Sequence, residues 1–246
     1  MSTRLFRIGL VALLLLGFAS AAVARAQTPA ASPVAPSADQ ICSRSLDSTL
    51  ASPSAEATAV TIDLASLDFD RIAIDLLLPR VTVSVDLAAV IHDRTRHPPV
   101  IGYTEALIQT QSPWIGTLMA LRDKSYPDSP DLTDEQLATA LEMTMANAPG
   151  MGAGANQFTA SAGLEALVGD LCAEGSDADL RYMDLATSLD SELLVLGNLT
   201  KQNATHSEMR DLATAMVTEI SAEVDQVNLW RSIWYSEASP EPDAKS

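Results

Sequence analysis

Apolar residues recur at three- and four-residue steps along much of the chain. Met209, Leu212, Met216, Ile220, Val227, Trp230 and Trp234 form one row, and Leu185, Leu189, Leu193, Leu196 and Leu199 form another just before it. Such steps put side chains on one face of an α-helix. They predict a hairpin of two helices over 177–204 and 207–235. Ser207, with Glu208 and Asp211 in the following turn, is a good helix start. The first half has the same layout, with Leu76, Val83, Leu87 and Val90 in one stripe and Val100, Tyr103, Leu107, Trp114, Leu118 and Leu121 in the next.

The two halves coincide when the chain is shifted by 109 residues. Asp70 then meets Asp179, Asp75 meets Asp184, Leu87 meets Leu196, His97 meets His206, Arg122 meets Arg231 and Tyr126 meets Tyr235. A lone helical hairpin cannot bury its apolar face, whereas two can close a four-helix bundle. The reading is therefore all-α: two hairpin repeats, over 41–126 and 177–235, with short connecting helices in 127–176. Within that connection, Leu132 to Ala146 predicts a helix capped by Thr133, residues 148–156 are glycine-rich, and Ala160 to Cys172 predicts a further short helix. One local signal disagrees. Val81-Thr-Val-Ser-Val85 alternates as a strand does, and Pro79 precedes it. The repeat outweighs that signal, and the segment is read as helix.

The ends are different in kind. Arg4 and Arg7, an uncharged apolar run from Ile8 to Phe18, and Ala24-Arg25-Ala26 have the form of a secretory signal over 1–26, cleaved before Gln27. The apolar run is too short to span a bilayer. Residues 27–40 are rich in Pro, Ala and Ser and read as a flexible linker, and 236–246 read as a disordered tail. The product is expected outside the cytoplasm, periplasmic or extracellular, without stable membrane insertion. Its two cysteines, Cys42 and Cys172, then form an even pair that favours a disulfide.

Charge narrows the partners. The chain carries a formal −17, and signal cleavage removes Arg4, Arg7 and Arg25, taking it to −20. That excludes nucleic acid and anionic lipid, which want a basic face. A metal ion remains permitted. No HExxH, GxSxG, ExxH, CxxC or P-loop pattern occurs, so no enzyme chemistry is indicated.

The second hairpin reads Asp179-x-x-Tyr182-Met183-Asp184-Leu185, then His206 and Arg210, then Glu223, Trp230 and Trp234-Tyr235. This resembles the bacterial family called domain of unknown function 305 (DUF305), over 177–235 and more faintly over 69–122 through Pro79, His97-Pro98 and Gln111. The resemblance implies an exported, ferritin-like helical bundle, and some members are linked to copper. The family pattern has paired histidines, which fall here on Leu189-Asp190 and Arg80-Val81. The methionine after them falls on Leu196 and Leu87, and a later one on Val227 and Leu118. The family's Gln and Glu are each kept once, as Gln111 and Glu223. Leucine and valine cannot ligate a metal, and Cu(I) wants His, Met or Cys.

Two readings of function follow. The first is an exported binding or structural protein with a degenerate metal site. The second is a weak copper or other metal binder using His97, His206, Met143, Met145 and Met151. The blander reading of the two repeat-matched histidines is that each ends a helix and meets its C-terminal dipole. His92 is read as a surface residue, Met209 and Met216 as core, and Trp114, Trp230 and Trp234 as core by default. Carboxylates such as Asp184, Asp190, Glu192, Glu219 and Glu223 are numerous enough for a di-iron site on facing helices, but the missing ExxH disfavours one.

Overall fold

A computed structural model describes residues 36–50, 68–146, 161–173 and 177–235. These residues form seven helices and no strand: α1 (Ala38–Leu50), α2 (Phe69–Arg94), α3 (Pro98–Ser125), α4 (Asp134–Ala146), α5 (Ser161–Cys172), α6 (Ala178–Asn203) and α7 (Ser207–Trp234). The signal segment, the 148–156 loop and the 236–246 tail lie outside the described residues.

The repeat is visible in the helices. Phe69 and Ala178 open the first helix of each hairpin, and Pro98 and Ser207 open the second, each pair 109 residues apart. Both hairpins end alike, with the Tyr126 amide donating to the Arg122 carbonyl and the Tyr235 amide to that of Arg231. Two matched ion pairs brace them: Arg122 to Asp75 at 2.8 Å and Arg231 to Asp184 at 2.9 Å. The first is largely shielded from water and the second is half exposed, so the first contributes more.

α2 is the hub. It packs against α3 and α6, and also against α1, α4 and α5. Neighbours on every side explain why its apolar residues do not keep to one stripe: Ile72, Ile74, Leu77, Val81, Val85, Leu87 and Ile91 are all buried. The strand-like Val81–Val85 run belongs to this helix. Burial on several faces overrides local β-preference. Pro79 sits inside the helix, and in that turn Arg80 Nη1 donates back to the Leu76 carbonyl at 2.9 Å.

The linker assignment of 27–40 is wrong at its end. Residues 38–40 are helical, and α1 starts with a reciprocal cap: Ser37 N donates to Gln40 Oε1 at 3.0 Å, and Gln40 N to Ser37 Oγ at 3.4 Å. α4 opens in the same way through Thr133 and Gln136. α1 also stands apart from the first hairpin, which begins at α2. It is joined to α5 by the Cys42–Cys172 disulfide, and Arg94 at the end of α2 donates to the Leu171 carbonyl beside it at 2.8 Å.

The disulfide closes a separation of 130 residues, so it removes much freedom from the unfolded chain. Replacing both cysteines (Cys42→Ser, Cys172→Ser) is expected to lower the unfolding free energy by about 3–5 kcal/mol in denaturant titrations. Amide exchange in α1 and α5 rises first. Equal stability of the two chains would show that the helices hold α1 without the bond.

Candidate functional site

Two places in the bundle gather chemically active side chains: the α2 end that meets the α6–α7 turn, and the interior between α3, α6 and α7.

At the first, Asp68 caps α2 by accepting from the Asp70 amide at 3.2 Å, and it also accepts from the Tyr126 hydroxyl at 2.7 Å. Asp70 is fully buried and reaches across to the other repeat. It accepts from the Thr205 amide at 2.9 Å, the Thr205 hydroxyl at 2.7 Å, the His206 amide at 2.8 Å and His206 Nδ1. Burial alone would raise this carboxyl's pKa. The donors on Thr205 and His206 outweigh burial and hold it below the ordinary value. Asp68, Asp70 and His206 can each offer one ligand atom within 4.8 Å of the others.

The repeat-matched pair is looser. Asp179 faces His97 at 3.7 Å, and its buried Oδ1 has no hydrogen-bond partner. His97 also stacks on Trp234, with ring centroids 4.6 Å apart, and Trp234 stacks in turn on Trp230 at 5.5 Å.

These contacts correct the reading of the histidines. His97 and His206 are N-caps of the helices that follow them, not C-terminal residues of those that precede. Positive charge is unfavourable at that end of a helix dipole, and each imidazole has a carboxylate from the opposite repeat beside it. The two residues also lie at opposite ends of α2. His206 is against Asp70 and His97 follows Arg94, so about 35 Å of helix separates them. A site shared by both is therefore ruled out. Met143 lies exposed on α4, Met145 belongs to the same helix, and Met151 is outside the described residues. Met209, Met216, Trp114 and Trp230 are buried core, and Trp234 is partly buried against it. His92 is half-buried, with Nδ1 3.2 Å from the Thr104 hydroxyl, not a surface residue.

The sequence names Asp190 and Glu223 among its many carboxylates and Gln111 through the family pattern, but does not bring them together with Tyr103 and Tyr182. α2 runs antiparallel to α3 and to α6, so α3 and α6 run parallel. Tyr103 and Gln111 are eight residues apart on α3, and Tyr182 and Asp190 are eight apart on α6. α7 adds Glu223, which accepts from Gln111 Nε2 at 2.9 Å. Tyr182, Asp190, Gln111 and Glu223 are buried, and Tyr103 packs edge-on against Trp230 at 5.1 Å. Two buried oxygens here, Gln111 Oε1 and Asp190 Oδ2, have no hydrogen-bond partner among the described residues, and the buried Tyr103 and Tyr182 hydroxyls face each other without ideal geometry. Burial, followed by the charge of Glu223, pushes the Asp190 carboxyl well above the carboxylate range. Glu223 is raised to about 7, by burial first; the Gln111 hydrogen bond lowers it, and Glu219 adds repulsion. Both tyrosines are raised: Tyr103 by burial and then by Tyr182 and the two acids, and Tyr182 by burial and then by Asp190 and Glu223, with the contact to Tyr103 lowering it. Sequence does hold a signal for this group. Gln111 and Glu223 occupy the apolar phase of α3 and α7, where a polar residue is out of place.

Copper can be tested against the residues present. Leu189, Asp190, Arg80, Val81, Leu196, Leu87, Val227 and Leu118 are all buried, and none is a soft donor. Arg80 is further committed, donating to Glu192 at 2.9 Å. A soft-metal site does not fit at these positions.

Two outcomes follow. Asp70→Ala is expected to cost about 2–4 kcal/mol, because it strands buried donors of the α6–α7 turn. Asp179→Ala should cost about 1 kcal/mol or less, its contact being long and half exposed. Equal losses in thermal melts would show that the two ends are held alike. The second outcome concerns pH. Folded Glu223 keeps its proton up to about 7, whereas the unfolded chain releases it near 4.5. Stability therefore falls as pH rises through that window and levels off above it. Glu223→Gln can still accept from Gln111 and carries no such loss. In metal-free buffer at pH 8 it should be more stable than the parent by roughly 1–3 kcal/mol. A variant that is less stable at pH 8 would mean that Glu223 is ionised and well paired in the fold.

The comparisons agree with this architecture. CopM in the Cu(I)-bound form is similar at 16% identity and a TM-score of 0.50, with 69% of this chain and 99% of that chain covered. CopM in the Cu(II)-bound form is similar at 18% identity and the same TM-score, with 68% and 97% covered. At such identities the likeness is one of fold. No curated protein matches the chain in sequence. The family model described as domain of unknown function (DUF305) matches residues 77–231. That span runs from the first third of α2 to the last turn of α7 and takes in most of both hairpins, and the chain belongs to the DUF305 family.

Proposed function

We propose that the protein is an exported helical-bundle binding protein whose soft-metal site has been lost, and not an enzyme. One observation carries the reading: the positions that hold paired histidines and methionines in the family pattern are buried here as leucine, valine, arginine and aspartate. Export is supported by the signal-like N-terminus and by the Cys42–Cys172 disulfide, which suits an oxidising compartment. No helix among the described residues is long and apolar enough to cross a membrane. Copper is present in the two CopM structures, and family membership makes metal handling the reading to test against.

A second reading rests on the Asp68–Asp70–His206 cluster. Mixed carboxylate and imidazole donors suit Cu(II) or Zn(II) rather than Cu(I). Against it stands the saturation of Asp70, whose oxygens already accept from Thr205 and His206. An ion there would have to displace the bonds that hold the α6–α7 turn.

Titration of the mature chain, residues 27–246, with Cu(I) and Cu(II) separates the two. The expected result is no saturable Cu(I) binding and an unchanged melting temperature. Tight Cu(I) binding with a raised melting temperature would overturn the loss of the soft site. Saturable Cu(II) or Zn(II) binding that disappears in His206→Ala would establish the second reading.

A further inference from the structure

We propose that the oxygen-lined group inside the bundle, formed by Gln111, Asp190 and Glu223 with the hydroxyls of Tyr103 and Tyr182, binds one hard divalent cation of the Mn2+ or Ca2+ class. This goes beyond the loss of copper, and it uses different residues from the Asp68–Asp70–His206 cluster.

The first argument is satisfaction. A buried polar atom without a partner costs about 1–3 kcal/mol, and native interiors hold few of them. Here Gln111 Oε1 and Asp190 Oδ2 are buried without a hydrogen-bond partner, the Tyr103 and Tyr182 hydroxyls face each other without ideal geometry, and the Glu223 carboxyl accepts from the Gln111 amide. Gln111 is oriented so that its nitrogen is used and its oxygen is left over. An ion that accepts oxygen donors completes the group at once.

The second argument is an internal control. The repeat gives each member of the group a counterpart 109 residues away in the same fold: Ala73 for Tyr182, Val81 for Asp190, Leu212 for Tyr103, Ile220 for Gln111 and Trp114 for Glu223. All five counterparts are buried and apolar. The architecture therefore has no need of polar side chains at these positions. Five polar residues on one side of the pseudo-twofold, and none at the matching positions on the other, mark a function confined to that side.

The third argument is donor type. Two carboxyls, an amide oxygen and two phenols offer no nitrogen or sulfur ligand. Oxygen-only sets suit Mg2+, Ca2+ and Mn2+ and discriminate against Cu(I). Two acids also supply the charge that a divalent ion needs for neutrality in a low-dielectric interior.

The test uses the mature chain stripped with chelator and titrated calorimetrically with MnCl2 and with CaCl2. One equivalent should bind saturably. At a hundredfold excess over Kd the melting temperature should rise by about 5–10 °C. In the double variant Asp190→Val, Glu223→Gln, which places at 190 the residue found at its repeat counterpart, affinity should fall by more than about tenfold and the thermal shift should vanish. Glu135→Gln, at an exposed carboxylate of α4, should bind as the parent does. Mn2+ should also broaden NMR signals around residues 103, 111, 182, 190 and 223 in the parent, whether or not the double variant folds. Absence of binding and of any thermal shift with both ions would overturn the proposal in favour of an interior filled by water. Binding that survives the double variant, or broadening confined to Asp68, Asp70 and His206, would overturn it as well.

Discussion

The placement of α2 against α6 is the constraint on which the bundle depends, and Asp70 fixes it. A carboxylate with no exposed surface is costly unless its lone pairs are used. Asp70 uses them on the amides of Thr205 and His206 and on both of those side chains. The turn between α6 and α7 thus takes its hydrogen bonds from the other repeat. Once that turn is set, α7 starts at a defined height. Glu223 then comes level with Gln111, and Trp230 level with Tyr103. The looser His97–Asp179 pair at the far end leaves that end less firmly determined, with aromatic stacking sharing the work.

Most of the helices were legible because their apolar faces repeat at helical steps, and because the same steps return 109 residues later. The Thr133 cap and the cysteine pair were legible for local and chemical reasons. α1 was not legible as a helix of its own because residues 38–40 read with the linker and 41–50 with the first hairpin, although Ser37-Ala-Asp-Gln40 has the form of a reciprocal cap. The strand-like valines of α2 show the limit of local preference. A helix surrounded by five others needs bulky apolar residues all round, and β-branched ones serve. The histidines were misjudged because sequence does not say to which of two adjoining helices a turn residue belongs. Pro98 and Pro99 after His97 point to the following helix, since proline is tolerated in a first turn. The interior acids were hidden among many carboxylates on a chain of charge −17, most of which only solubilise.

The interior holds no soft ligand at the positions where the family pattern places histidine and methionine. Exchanging imidazole and thioether for leucine, valine, arginine and carboxylate removes soft ligands. The matched helices of the two repeats have equal lengths, 26 residues in α2 and α6 and 28 in α3 and α7. Arg80 illustrates the adjustment. It stands in the middle of α2, where a free guanidinium would be untenable, and Glu192 of α6 and the Leu76 carbonyl receive it. Cross-helix hydrogen bonding thus holds a guanidinium among buried apolar neighbours.

The covalent link between α1 and α5 has a topological consequence. The second hairpin of another copy is identical to the chain's own, so in principle it is as good a mate for the first hairpin. α5 lies immediately ahead of the second hairpin, and the disulfide pins it to α1, with both helices packed on α2 of the same chain. The second hairpin is thereby released into folding beside its own first hairpin, at an effective concentration that a separate chain in dilute solution does not match. Oxidation of one cysteine pair thus favours a closed monomer over an exchanged pair.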